Sequence, residues 1–254
     1  MSMTFNYNSC VVQSRYTRRP GGNCREVRRR MALHLLKLND EKTKMMIFTS
    51  EHHLKTYEGY SLTIGDDTVS PSDRIMYLGV HKDQHLTMTD HVTAVCAACN
   101  YHLYRLSSIQ HYLTNEAAKS TVTGLVTSRL DYCNSLLHTI PLSQTARLQR
   151  VQNNAARIIT RTSKHDHITV LNELQWLPVE SRIVIKTLVM TFKCINGLAP
   201  SYLAEITQPR KRDGRLRQNY APTLHQGITK KCIGDSAFGA RMFTGNSVVE
   251  QLWN

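Results

Sequence analysis

Acidic residues are the scarce charge in this chain: 19 Asp and Glu stand against 32 Lys and Arg, a formal excess of +13 with the 12 histidines neutral. That balance favours a polyanionic partner over a neutral small molecule. Long apolar runs are also missing. A membrane span requires about 18 consecutive apolar residues, and no such run occurs, so no membrane partner is expected. The first residues hold no apolar stretch of the secretory type and carry Arg15, Arg18 and Arg19, so no secretory leader is expected either. The seven cysteines are odd in number and irregularly spaced, which argues against a disulfide framework and for a reducing compartment, nucleus or cytoplasm. A phosphate-cradling glycine loop, a His-Glu-x-x-His pair and a Gly-x-Ser-x-Gly elbow are all absent. What is present is a 41% hydrophobic content over 254 residues. That is enough for one large domain or two small ones, and too much for intrinsic disorder.

The pattern divides the chain into four stretches. Residues 1–32 form a basic leader, with seven arginines before Met31 against the single acid Glu26 and a Pro20-Gly21-Gly22 interruption; it reads as disordered. Residues 33–84 carry strand signals. Lys44 to Phe48 is a short apolar run, Tyr60 to Ile64 alternates and returns at Thr68-Val69 after Gly65-Asp66-Asp67, and Ile75 to Val80 reads as a further strand. These segments predict one small antiparallel sheet. Residues 85–204 are helical. Val92, Val95, Cys96, Cys99, Leu103 and Leu106 fall in one stripe about 100° wide at 100° per residue. A second helix is expected from a cap at Asn115 toward Leu137, stopped by Pro141, and a third from Gln144 to Thr162. A fourth runs from about Glu180 to Asn196, between Pro178 and Gly197. Residues 205–254 form a weakly patterned basic tail. The predicted fold class is α+β, a small antiparallel strand cluster followed by a mostly α-helical bundle.

Three constellations bear on chemistry. Asp66 and Asp67 are adjacent at a hairpin tip, as the metal-holding aspartates of template-directed polymerases are. Such a site also needs a carboxylate from an earlier strand, and none of Glu26, Asp40, Glu41, Glu51 and Glu58 sits in one, so ordinary turn chemistry is the preferred reading. Cys96-x-x-Cys99 with His102 has half the spacing of a zinc site but no second ligand pair. Both thiols fall in an apolar stripe, which favours buried cysteine, and no metal site is expected. The third constellation is basic. Arg147, Arg150, Arg157 and Arg161 fall at wheel angles of about 0°, 300°, 280° and 320°, beside a stripe of Leu148, Val151, Ala155, Ile158 and Ile159. No acid occurs from Arg147 to His165. A helix anchored on one face and presenting arginines on the next suits contacts to phosphates.

Several blocks of sequence are recognisable. Leu36-Lys37-Leu38-Asn39 with Lys42-Thr43 resembles a signature of LINE-type (non-long-terminal-repeat, jockey-like) retrotransposon reverse transcriptases, and Tyr77-Leu78-Gly79-Val80 resembles the element that follows it. Thr127 to Asn134, Leu148 to Arg157, Trp176 to Val179, Asn196 to Leu203 and Leu252 to Asn254 are similar to later blocks, in the family's order. The resemblance implies the end of a polymerase palm followed by a thumb-like helical region that grips template and primer. The family's activity is RNA-directed DNA synthesis with magnesium and deoxynucleotides. Its aromatic-x-Asp-Asp motif lies upstream of the Leu36 block, where this chain holds the arginine-rich leader. Relatives also continue past Trp253-Asn254, so a truncated C-terminal copy without catalytic residues and without a cofactor of its own is expected. The resemblance places Lys42 as a basic residue beside the primer-handling palm edge. The expected partner is RNA or RNA–DNA hybrid, bound without sequence preference through Lys42, Arg147, Arg150, Arg157 and Arg161. Two other readings are an active polymerase using Asp66 and Asp67, and a translated remnant that self-associates through an exposed apolar palm edge on strands 44–48 and 75–80.

Overall fold

The structure is a computed structural model that describes residues 10–13, 29–35, 44–48, 55, 59, 61–64, 67–162 and 169–206. It is α+β, with a short helical segment at 29–33 among the short paired strands and the long helices after them. The chain divides into two compact units, Met1–His91 and Val92–Asn254.

The first unit departs from the single sheet expected. Its strands make three separate pairs among the described residues. β1 (Cys10–Gln13) runs parallel to β2 (Lys44–Ile47), with Cys10 opposite Lys44 and Gln13 opposite Ile47. The leader expected to be disordered therefore supplies a strand, because β2 needs a neighbour. Met45, Met46 and Ile47 are buried in succession, as in a strand covered on both faces. On β2's other side Ser72 N donates to Met45 O at 2.8 Å. β3 (Leu62–Ile64) and β4 (Asp67–Val69) form an antiparallel pair, as the alternation predicts.

The expected strand over 75–80 is instead a hairpin of β5 (Arg74–Tyr77) and β6 (Val80–Asp83). Leu78 and Gly79 make a two-residue loop with φ of 47° and 75°. Positive φ at both central positions is what a tight hairpin's right-handed twist demands. Of the apolar residues on the segments read as a self-association edge, Met45, Met46, Ile47, Ile75 and Val80 are buried, while Met76 and Leu78 are exposed at the hairpin.

Beyond β6, Asp83 organises the approach to the helices. Its carboxylate accepts from the backbone of His85 (3.0 Å), Thr87 (2.9 Å) and Met88 (3.1 Å) and from the Thr87 hydroxyl (2.7 Å). These bonds hold Leu86 and Met88 in left-handed conformations, φ 55° and 59°, that neither side chain prefers.

Helix α1 (Thr89–Ile109) buries Val92, Cys96, Cys99, Leu103 and Leu106, the stripe that the spacing predicts. A 3-10 turn (Gln110–Tyr112) follows it. α2 (Asn115–Val122) is capped one residue earlier than expected, by Thr114, whose hydroxyl accepts from Ala117 N at 3.2 Å. The continuous helix expected to reach Leu137 does not form. α2 passes through a π-helical stretch at Thr123–Thr127 into α3 (Ser128–Asp131), then Cys133 turns left-handed at φ 51° ahead of a 3-10 turn at Asn134–Leu137. α4 (Leu142–Thr160) starts after Pro141, α5 (Thr169–Glu173) is short, and α6 (Val179–Ile195) starts after Pro178. α6 closes at Gly197, with φ 68°, before α7 (Ser201–Ile206). α4 packs against α2 and α6 and buries Leu148, Val151, Ala155, Ala156 and Ile159. The tail after Ile206 lies outside the described residues.

Candidate nucleic-acid interface

The face of α4 opposite its core is polar because its apolar residues recur at helical spacing and leave the arginines outward. Arg147 and Arg150 line a groove of about 280 Å³ together with Val151 and Asn154 on the same helix and Cys96 and Asn100 on α1. Each guanidinium holds an uncharged partner. Arg147 Nη1 donates to Gln144 Oε1 at 2.8 Å, Arg150 Nε to Ala146 O at 3.4 Å, and Arg157 Nη1 to Asn154 Oδ1 at 3.1 Å. These contacts orient the side chains without cancelling their charge, and a guanidinium has further N–H donors to offer. No carboxylate lines the groove among the described residues.

The one thiol among its lining residues, Cys96, is neutral, and so is Cys99 one turn along the same helix. Burial pushes the Cys96 thiol up, with Arg147 and Arg150 pulling against that shift. Burial, with Cys96 adding, pushes Cys99 up to about 11. Neither thiol is a thiolate near neutral pH, so neither offsets the arginines. Cys99 also donates to Val126 O at 3.9 Å, meeting a carbonyl in the π-helical stretch.

Arg161 separates from the row. α4 ends at Thr160 and Arg161 turns left-handed at φ 56°, past the helix. Its Nη2 donates to Leu113 O at 2.7 Å, and Gln110 Nε2 donates back to Ile158 O at 2.9 Å. This reciprocal clip ties the end of α1 to the end of α4. The structure thus brings Arg147 and Arg150 together, places Arg157 about two turns beyond Arg150 on the same face, and assigns Arg161 to the clip. Lys42, Gly65 and Asp66 lie outside the described residues. Asp67 opens β4. Among the described residues no three of His, Cys, Asp and Glu gather as a metal site.

Sequence reasoning missed the polar residues that set α4 in place. Gln149 Oε1 accepts from Val179 N at 2.9 Å, satisfying a first-turn donor of α6 that Pro178 has no side chain to meet. Gln149 Nε2 also donates to Gln152 Oε1 and Asn153 Oδ1, and Gln152 Nε2 donates to Leu177 O at 2.8 Å. Asp131 forms a forked pair with Arg182 and accepts from Lys186 through its backbone carbonyl at 2.8 Å. The glutamine spacing on α4 and the acid after Arg129 were the available signals, but neither names its partner. No helix among the described residues is long and apolar enough to cross a membrane. Comparison with protein-family models, curated proteins and solved structures finds no match for this chain.

Proposed function

We propose that the helical unit is a sequence-nonspecific grip for the phosphate backbone of RNA or RNA–DNA hybrid. It would be of the kind that follows the palm in LINE-type reverse transcriptases, and would contribute binding rather than chemistry. The observation that carries this reading is the groove that Arg147 and Arg150 line together with the neutral Cys96 thiol, with Arg157 continuing the row and no carboxylate among the described lining residues. Arginines oriented by uncharged neighbours retain their full attraction for phosphate. Two further observations support the family reading. The resembling blocks keep the family's order, and two of them meet through Gln149 and Gln152, which hold the Leu177-Pro178-Val179 segment.

Fluorescence anisotropy with a labelled RNA–DNA hybrid tests the proposal. The Arg147→Ala/Arg150→Ala/Arg157→Ala variant is expected to bind at least about tenfold more weakly than the wild type at low salt. Equal affinity would remove the assignment.

A further inference from the structure

α1 buries one side, so the residues opposite have to face solvent. They include Tyr101 and Tyr104, which are 56% and 78% exposed, and Tyr112 in the following 3-10 turn is 88% exposed. Each of these rings offers a flat apolar face and a polar tip at the surface. Their position ties them to the groove. Asn100 lines the groove from α1 and Tyr104 lies one turn beyond it, about 40° around the helix. Asn154 lines it from α4, and Arg157 lies one turn beyond in the same direction along the paired helices. Tyr101 is held in place: its hydroxyl accepts from Arg105 Nη1 at 2.9 Å, and the Arg105 guanidinium lies 5.8 Å from its ring centroid.

A row of phosphate-binding arginines beside exposed aromatic rings matches the needs of a single strand. Its bases are unpaired and offer flat faces, whereas a duplex presents backbone and buries its stacks. We infer that the groove takes a single-stranded stretch of RNA or DNA. Arg147, Arg150 and Arg157 meet its phosphates, and Tyr104 stacks a base, with Tyr101 and Tyr112 the other exposed rings of the same segment. This deepens the proposed function and rests on its arginine face.

The test uses the full chain and fluorescein-labelled oligo-U, oligo-dT and a duplex of about twelve nucleotides, within the usual reach of such grooves. Tyr101→Ala/Tyr104→Ala/Tyr112→Ala is expected to lose about tenfold or more in affinity for both single strands and to keep its duplex affinity. Tyr104→Phe, which retains the ring, is expected to bind as the wild type does. Matching thermal melts for the variants establish that folding is intact. Equal loss on duplex and single strand, or no loss on either, overturns the inference. Loss of a sedimenting dimer in the tyrosine variant with strand binding unchanged also overturns it and assigns the face to a second copy of the chain. Failure of the underlying reading is distinguishable: single-strand binding then survives removal of the three arginines.

Discussion

A buried imidazole with an unpaired nitrogen resists carrying charge. His91 is 3% exposed and its Nδ1 has no hydrogen-bond partner among the described residues. Burial, with the neighbouring His81 ring adding, lowers its pKa below 6.5. Above that value both folded and unfolded forms are neutral. As pH falls below it the unfolded chain takes up the proton first, so stability is lost, by at most about 1.4 kcal/mol per pH unit, until the folded form titrates as well. Urea midpoints of the wild type and His91→Leu, compared across this range, should therefore diverge in favour of the variant below pH 6.5. A constant difference would show that the burial is not coupled to charge. The arginine row displays the same dependence on local setting. Arg147, Arg150 and Arg157 were legible because helical periodicity alone puts them on one face. Arg161 was not, since its left-handed backbone follows from how α4 terminates against the end of α1, which periodicity does not encode.

A helix start was readable at Pro178, where backbone chemistry forces it, and the stop at Gly197 was readable for the same reason, whereas α4 begins at Leu142, directly after Pro141 and two residues ahead of the Gln144 expected. Two elements were not. The Tyr77-Leu78-Gly79-Val80 run has the β-propensity of a strand, yet Leu78 accepts a positive φ so that Ile75 and Val80 can both be buried across a turn. The stretch from Asn115 onward has helical spacing, yet it breaks after Asp131, whose side chain and carbonyl are drawn to Arg182 and Lys186 of α6. Both outcomes depend on distant partners. The same holds for the cap on α6, which Gln149 supplies from 30 residues away. Gln149→Leu should destabilise the helical unit by roughly 1–2 kcal/mol, the usual cost of removing a cap. Amide exchange at Val179 should accelerate at the same time. Because Gln149 lies away from the arginine face, nucleic-acid affinity should remain unchanged. A variant that melts as the wild type does would discount the cap.

At the scale of the molecule, an excess of +13 charges promises some attraction to any polyanion, so affinity alone does not separate a site from a background. Salt dependence does. Each phosphate contact on a single strand adds about 0.7 to the slope of log affinity against log salt. Removing Arg147, Arg150 and Arg157 should therefore flatten the measured slope by about 2, while an equal number of Lys and Arg removed elsewhere should change it less. Indistinguishable slopes would assign binding to diffuse charge. The basic character and the α+β composition were legible from the residues alone. The groove was not, because it requires Asn100 and Cys96 of one helix to come beside Arg147, Arg150 and Asn154 of another. The clip formed by Arg161 and Gln110 has one more consequence. It ties the C-terminal end of α1 to the C-terminal end of α4 through side-chain-to-backbone hydrogen bonds running in both directions, so the two helices cannot part at that end without breaking both together.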